Sequence, residues 1–276
     1  MAKAAQTPIS PTWEGYIKDF IKGLAKVSPS YGTNQIFVDV CRIMSLSLRG
    51  ALTGGQEKED IEANYQRFVE KYGAEGMRQV AELFAIVVEA LELRRTDFLG
   101  QIYERLNATN KGFGQFLTPI CVSELLSKVS ISDRAKLNEI TRMYDPSCGA
   151  GVLLLEGARH YIEMGGKQMN LLVYADDLDE TACCIAYIQF SLLGYAAIVR
   201  HVDSLTQKVY EGPWYTAGYY LHSFPIRLIC EKMDEAMPKQ KKAEEKKEEE
   251  EAEPPPKKKP EAIDVRNATL VQGELF

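Results

Sequence analysis

The sequence predicts an α/β fold with a small parallel sheet, preceded by an all-helical N-terminal region. No strand pattern appears before residue 138. From residue 140 onward, short apolar runs alternate with helical apolar patterns, which is the order of β-α-β units. A glycine-rich turn, Asp145–Gly151, separates the first apolar run from the first of these helices. The predicted sheet therefore has a first strand that leads directly into a glycine turn.

Helical periodicity accounts for the first hundred residues. It begins at Trp13, and Thr12 is predicted to cap that helix with its hydroxyl. Further helices are predicted near Thr33–Arg49, Glu57–Tyr72, Glu75–Arg94 and Phe98–Leu106. We interpret residues 1–106 as a helical domain.

The α/β part is predicted over residues 107–238. Its predicted strands are Ile140–Tyr144, Leu171–Ala175, Ala196–His201 and Tyr219–Phe224, and its helices are Ile120–Val129, a segment starting at Val152, Glu180–Leu193 and Ile226–Met237. Three to five strands make a shortened sheet, whose exposed edge needs a covering element or a partner.

The glycine turn allows two interpretations. Strand, glycine turn and helix together set bare backbone N–H groups and a helix N-terminus against a cofactor. Gly149 and Gly151 lack a side chain that would hold a ligand off the backbone, and Pro146 fixes the entry into the turn. The alternative is a purely structural connection between a strand and a helix.

Acidic residues follow the next two predicted strands. Asp177 comes just after the second strand, where a carboxylate can accept hydrogen bonds from both ribose hydroxyls of a nucleoside cofactor. The alternative for an acid at this position is a helix N-cap, and Asp179 fits that role better. Asp203 follows the third strand.

Four motifs occur in order: GFGQFLTP at residues 112–119, DPSCGAG at 145–151, YADDLD at 174–179 and HVDSL at 201–205. This set resembles the adenine-specific DNA methylases related to the methylation subunit of type I restriction–modification systems. The resemblance covers roughly Asp97–Leu205. It implies a Rossmann-like class I methyltransferase sheet, S-adenosylmethionine as the cofactor, and methyl transfer to adenine in DNA.

The resemblance also implies roles for single residues. The segment containing Phe116, Thr118 and Pro119 closes over the methionine end of the cofactor, and Asp203 contacts its adenine. A carboxylate accepts hydrogen bonds from an exocyclic amine but cannot donate to it. The implied cofactor-binding set is Phe116, Thr118, Pro119, Asp145, Pro146, Cys148, Gly149, Gly151, Asp177 and Asp203.

The family's methyl-acceptor motif, Asn/Asp-Pro-Pro-Tyr/Phe at the end of a fourth strand, is missing from this sequence. The nearest match is GPWY at residues 212–215, preceded by Glu211. Aromatic rings could stack a base there, and Glu211 could supply an oxygen. The catalytic candidates are therefore Glu211, Pro213, Trp214 and Tyr215. The alternative is that the aromatic residues cover the exposed edge of the shortened sheet.

Composition limits the partners and the compartment. The chain has 276 residues, 45% of them hydrophobic, and a net charge of −6. A negative net charge does not favour binding of the whole chain to DNA. Contact with DNA therefore needs a local basic surface or a partner subunit. Its six cysteines form no CxxC pair and have no histidine at metal-ligand spacing, so we expect reduced thiols and no metal site. No export signal or membrane span is predicted, which favours the cytoplasm.

The C-terminal segment is predicted to be a charged, disordered linker over residues 239–268, followed by an apolar peptide at 269–276. Gln272, Leu275 and Phe276 resemble the peptide by which bacterial replication and repair proteins bind the sliding clamp. We interpret this end as a docking peptide on a tether.

The expected function is therefore S-adenosylmethionine-dependent methyl transfer to the exocyclic amine of adenine in DNA. A second hypothesis is a catalytically impaired accessory or decoy protein that keeps the cofactor site and docks on the sliding clamp. A third is methyl transfer to RNA or protein. In each case the helical domain serves either for packing or for DNA contact.

Overall fold

The computed structural model describes residues 12–107, 118, 120–130 and 139–236. Met1–Arg227 forms one compact unit, and Leu228–Phe276 a second. The predicted linker and docking peptide lie outside the described residues. None of the described helices combines the length and the apolarity that crossing a membrane requires.

In the described part of the chain, the helices before the sheet are α1 (Trp13–Val27), α2 (Thr33–Gly50), α3 (Gly55–Leu93), α4 (Leu99–Asn107) and α5 (Ile120–Ser130). The predicted cap is confirmed, because the Thr12 hydroxyl oxygen accepts a hydrogen bond from the Gly15 N–H at 3.1 Å. The two helices predicted on either side of residues 73–74 are confirmed as the two parts of α3, which are separated by Gly73, whose φ of 64° and ψ of 178° are not helical. Glycine adopts this left-handed conformation without the steric cost that other residues bear.

The sheet contains β1 (Thr141–Asp145), β2 (Leu171–Asp177), β3 (Ala196–Asp203) and β4 (Lys208–Tyr215), in that spatial order. The first three strands are parallel, and β4 pairs antiparallel with β3. Between them lie α6 (Val152–Glu163) and α7 (Glu180–Leu192), and after them α8 (Ala217–Leu221) and α9 (Phe224–Ala236). The predicted α/β class with a short sheet behind a helical region is confirmed.

Two predictions near the end of the sheet are wrong. Residues 208–215 form β4, which the sequence does not reveal because six of its eight residues are exposed and backbone pairing to β3 holds it. The predicted strand Tyr219–Phe224 is instead α8 and the turn after it. Its aromatic residues pack locally, with the Tyr219 ring stacked on Phe224 at 6.1 Å between centroids. A short apolar run does not distinguish a helix from a strand by periodicity.

The helical region and the β-α units share one hydrophobic core. Phe20 of α1 meets the Phe98 ring at 6.0 Å, and the N–H groups of Phe98 and Leu99 donate to the side-chain oxygen of Gln189 on α7 at 2.7 and 3.1 Å. Arg42 of α2 forms an ion pair with Glu180 at the start of α7. Independent folding of residues 1–106 stays a prediction.

Candidate cofactor site

The carboxyl ends of the three parallel strands form one edge of the sheet. In the register, Asp145 at the end of β1 pairs with Ala175, and Asp177 at the end of β2 pairs with His201. β3 continues two residues further, to Asp203. Each strand thus ends in an aspartate, and the two later strands are longer than predicted. Ligands of open α/β sheets bind outside this edge.

The glycine turn has the backbone that its sequence suggests. Gly149 and Gly151 have φ angles of 54° and 86°, both in the left-handed region. A Cβ at residue 151 would lie 3.0 Å from Cζ of Phe190 on α7, so a side chain there is disfavoured by both strain and space. The turn leads directly into α6 at Val152.

Hydrogen bonds tie this turn to the ends of β1 and β2. The Cys148 N–H donates to the Asp176 carbonyl at 2.9 Å, and the Gly149 N–H donates to Oδ2 of Asp177 at 2.7 Å. The Ser147 N–H donates to Oδ1 of Asp145 at 3.0 Å. The expectation that the turn presents bare N–H groups is therefore wrong for these residues, because the strand ends have already engaged them. What the turn offers a ligand is close approach to the backbone.

Asp177 is buried, and its carboxylate oxygens have not reached the number of hydrogen bonds that they can accept. Asp177 is only 9% exposed to solvent. Its Oδ2 accepts from Gly149, and its Oδ1 accepts from the Asp179 N–H at 2.8 Å. A carboxylate oxygen has two lone pairs, so each can take a further donor. Burial raises the pKa of this carboxyl, while the backbone hydrogen bonds from Asp179 and Gly149 oppose that rise.

Asp179 caps α7, as the sequence analysis expected. Its Oδ1 accepts from the Thr181 N–H at 2.8 Å, and its Oδ2 accepts from the Tyr103 hydroxyl at 2.9 Å. Asp179 thus links α4 to the start of α7. Both oxygens of Asp179 therefore accept hydrogen bonds that hold the fold.

Asp203 shapes the turn between β3 and β4. Its Oδ1 accepts from the N–H groups of Leu205 and Thr206 at 3.0 and 3.1 Å. Hydrogen bonds from the Thr206 side chain and backbone lower the pKa of Asp203, so this carboxyl is ionised near neutral pH. The neighbouring Ser204 hydroxyl donates to the Pro146 carbonyl at 2.5 Å, which joins this turn to the glycine turn. The structure therefore brings Asp145, Asp177 and Asp203 to one edge.

Cys148 is a packing residue in this turn. It is buried, and burial is the main cause of a pKa raised well above the ordinary value of a thiol. A neutral buried thiol is a poor nucleophile. No group of residues suited to holding a metal ion occurs in the part of the chain that the structure describes.

Sequence reasoning missed a buried network behind the glycine turn. Nε2 of Gln189 donates to the Ala150 carbonyl and to Oδ1 of Asp97, both at 3.0 Å. The Gly100 N–H also donates to that Asp97 oxygen, at 2.8 Å. Burial raises the pKa of Asp97 to about 6. The available signal was a glutamine inside an otherwise apolar helix, which is a position where a buried amide needs several partners.

The catalytic candidates on β4 lie at different heights along the sheet, with Glu211 opposite His201 near the carboxyl end of β3. Because β4 is antiparallel to β3, Trp214 and Tyr215 pair with Val199 and Ile198, toward the amino end of β3. Val199 lies four residue steps before Asp203 along the strand, which is about 13 Å. The structure therefore does not bring Trp214 or Tyr215 to the glycine turn.

The surroundings of these candidates point to the helical region. Trp214 is 2% exposed, and the Arg49 guanidinium lies 4.3 Å from its ring centroid. Oε1 of Glu211 accepts from Arg49 at 3.0 Å. Pro213 lines a cavity of about 480 Å³ with residues of α2 and α3. Tyr215 instead joins Tyr219 and Tyr220 in an aromatic cluster, with a 4.7 Å centroid distance to Tyr219.

The segment over the methionine end of the cofactor is mostly outside the described residues. Phe116 and Pro119 lie outside the described residues, whereas Thr118 is described and is exposed. Their roles stay predictions.

The central segment of the chain is similar to known methylases. Residues 94–222 match the N-6 DNA Methylase family. The resemblance stated from the four motifs is therefore confirmed over this segment. It contains β1 to β4, the glycine turn and all three aspartates at the sheet edge.

Two proteins similar to the chain differ in how much of it they match. The chain is 30% identical over 135 residues to the type I restriction enzyme MpnII methylase subunit of Mycoplasma pneumoniae, a match that covers 45% of this chain and 23% of that protein. The type I restriction-modification system methyltransferase subunit from Streptococcus thermophilus is 14% identical, with a TM-score of 0.42, and the match covers 74% of this chain and 61% of that one. The chain thus spans less than a quarter of the length of the curated relative.

Proposed function

We propose that this chain binds S-adenosylmethionine at the carboxyl edge of β1, β2 and β3 and takes part in methyl transfer to the exocyclic amine of adenine in DNA. One observation carries the proposal. The glycine turn and Asp177 are in direct hydrogen-bond contact at 2.7 Å, within a segment that matches the N-6 DNA methylases. A turn that permits close approach and an acid with spare acceptor capacity are thereby held together.

The described residues fit an adenosine-bearing cofactor. The Asp177 carboxylate lies at this edge, and carboxylate oxygens accept hydrogen bonds from hydroxyl groups such as those of a ribose. Asp203 is ionised and intermediate in exposure, and it would accept from the adenine amine. Gly149 and Gly151 leave the backbone open beside them. S-adenosylmethionine supplies an electrophilic methyl group when it is bound.

The chain's own contribution is binding and orientation. Gln189 fixes the Ala150 carbonyl from behind, so the turn keeps its shape as a ligand enters and leaves. Asp145, Pro146 and Cys148 hold the turn to the strand ends, and Phe116, Thr118 and Pro119 are assigned to the methionine end by the family resemblance. With a net charge of −6, the chain reaches DNA through a local surface or a partner subunit.

Calorimetry with S-adenosylmethionine tests the cofactor half of the proposal. The wild-type protein should bind, and Asp177→Asn should weaken binding at least about tenfold because one ribose acceptor becomes a donor. Asp19→Asn on the exposed face of α1 is the matched control and should leave the affinity unchanged. Absence of binding by the wild-type protein, in a sample that unfolds cooperatively, would rule the proposal out.

A second candidate is a cofactor-binding accessory chain that transfers no methyl group itself. The placement of Trp214 and Tyr215 toward the amino end of β3 favours it, because these candidates are remote from the glycine turn. Transfer of a tritiated methyl group to unmethylated DNA separates the two. Incorporation that Asp203→Ala abolishes supports the enzyme, and binding without incorporation supports the accessory chain. The same assay with RNA or protein acceptors tests the third hypothesis.

The docking part of the second candidate depends on Gln272, Leu275 and Phe276, which lie outside the described residues. It stays a prediction. Deleting residues 272–276 should abolish retention of the protein on immobilised sliding clamp. Unchanged retention would contradict the docking hypothesis.

A further inference from the structure

A cleft between α2 and α3 collects cationic side chains at helical spacing. Arg42, Ser45, Leu46 and Arg49 of α2 line one wall of a cavity of about 420 Å³. They are spaced as i, i+3, i+4 and i+7, which puts them on one face of the helix.

The wall contributed by α3 has the same spacing. It consists of Asn64, Arg67, Phe68 and Lys71. The lining also includes Glu180 and Cys184 of α7 and Glu211 of β4. Four cationic and two acidic side chains therefore line the cavity, so the net charge of the lining side chains is +2.

Both acidic side chains of the cavity form ion pairs with arginines of α2. Arg42 is paired with Glu180, and Nη2 of Arg49 lies 3.0 Å from Oε1 of Glu211. The Arg49 guanidinium carbon also lies over the Trp214 ring, 4.3 Å from its centroid. The two arginines of α2 are thus fixed in place as part of the contact between α2 and the α/β elements.

The cations of α3 are placed differently. Nζ of Lys71 lies 2.6 Å from Oδ2 of Asp39, a residue outside the cavity lining. Nη1 of Arg67 donates to Oδ1 of Asn64 at 3.3 Å, and Arg67 has no ion-pair partner among the residues that the structure describes. A guanidinium has five N–H donors in a planar fork, so most of those on Arg67 are free for a ligand.

These features suit a phosphate group that carries an organic part. Arginine prefers phosphate because two N–H groups can donate to two phosphate oxygens in parallel. A bare phosphate would leave most of the cavity empty, since a volume of about 420 Å³ lies within the range of about 300–1,000 Å³ for small-ligand sites. Phe68 and Leu46 supply apolar surface within the same cavity, against which a sugar or a base can pack.

We propose that this cavity is a nucleotide-phosphate site, centred on Arg67 and distinct from the cofactor edge of the sheet. The phosphate comes either from a free nucleotide or from one nucleotide of a nucleic-acid strand, and the chemistry of recognition is the same. The site does not depend on S-adenosylmethionine, because its lining excludes the glycine turn and Asp177.

Calorimetry on the full-length protein tests this site with two probes, thymidine triphosphate and single-stranded oligothymidine. Thymine is chosen because it lacks the adenosine that the cofactor edge would bind. We expect the wild type to bind at least one probe, and Arg67→Gln to weaken that binding about tenfold or more. Arg67→Lys keeps the charge without the fork and should fall between them.

Arg78→Gln is the matched control, because Arg78 is an exposed arginine on the same helix outside the cavity. It should leave the affinity unchanged. Binding of the triphosphate alone assigns a free nucleotide, and binding of oligothymidine assigns a strand. The site is overturned if the wild type binds neither probe, or if Arg78→Gln weakens binding as much as Arg67→Gln does. Thermal unfolding monitors that each variant is folded.

Discussion

Oδ2 of Asp177 accepts a hydrogen bond from the Gly149 N–H at 2.7 Å, so the end of β2 holds the turn that follows β1. The residue assigned to the ribose therefore also builds the turn beside it. Because Asp177 is buried and its second oxygen accepts from Asp179, its carboxylate links three parts of the cofactor edge. Substitutions at this residue should affect both stability and cofactor affinity.

Asp177→Asn should lower the free energy of unfolding by about 1–3 kcal/mol without any ligand, because one of the two backbone N–H groups then faces an amide donor. Urea denaturation measures this change. Asp19→Asn, at an exposed position of α1, should stay within about 0.5 kcal/mol of the wild type. Unchanged stability of Asp177→Asn would show that the hydrogen bond to Gly149 contributes nothing to the fold.

Gly151→Ala should weaken S-adenosylmethionine binding about tenfold or more, because its φ of 86° and a Cβ placed 3.0 Å from Phe190 both force the turn to move. Gly54→Ala is the control, since its φ is −139° and a Cβ there meets no atom within 4 Å. Equal affinities of the two variants would mean that the turn's shape does not matter for the cofactor.

Gln189→Leu should lower the free energy of unfolding by at least about 3 kcal/mol, because it leaves several buried partners without a hydrogen bond. Those partners are the N–H groups of Phe98 and Leu99, the Asp97 carboxyl and the Ala150 carbonyl. Chemical denaturation gives the change. Gln66→Leu, on an exposed part of α3, should cost far less, and a similar loss in both variants would contradict the network.

Asp97 should make stability depend on pH between about 4 and 6. Burial raises the pKa of this carboxyl from 3.8 to about 6, so the folded state holds its proton more tightly than the unfolded state does. Its stabilising contribution is complete below the lower value and is lost as the pH rises through the higher one. A shift of this size corresponds to roughly 3 kcal/mol.

Denaturation of wild type and Asp97→Asn across this pH range tests the assignment. The wild type should lose stability relative to Asp97→Asn as the pH increases from about 4 to 6, because asparagine does not ionise. Parallel curves for the two proteins would show that Asp97 does not titrate differently in the folded state.

Local signals in the sequence were enough to predict the elements around the site. Thr12 and Asp179 cap their helices as predicted, because a cap depends on a side chain and a backbone N–H only two or three residues away. The glycine turn was predictable for the same reason: left-handed conformations select glycine.

The errors concern features that depend on distant residues. β4 is polar and exposed, and only its pairing with β3 makes it a strand. The N–H groups of the glycine turn are engaged by the end of β2, which lies more than twenty residues further along the chain. Gln189 reaches Ala150 and Asp97 across the core, and no periodic pattern indicates that contact.

A crystal structure of the protein with S-adenosylhomocysteine would show directly where the cofactor binds. We expect both ribose hydroxyls at about 2.6–3.2 Å from the carboxylate oxygens of Asp177, with the adenine amine facing Asp203. A ligand bound away from the ends of β1, β2 and β3, or one whose ribose faces neither aspartate, would contradict this expectation.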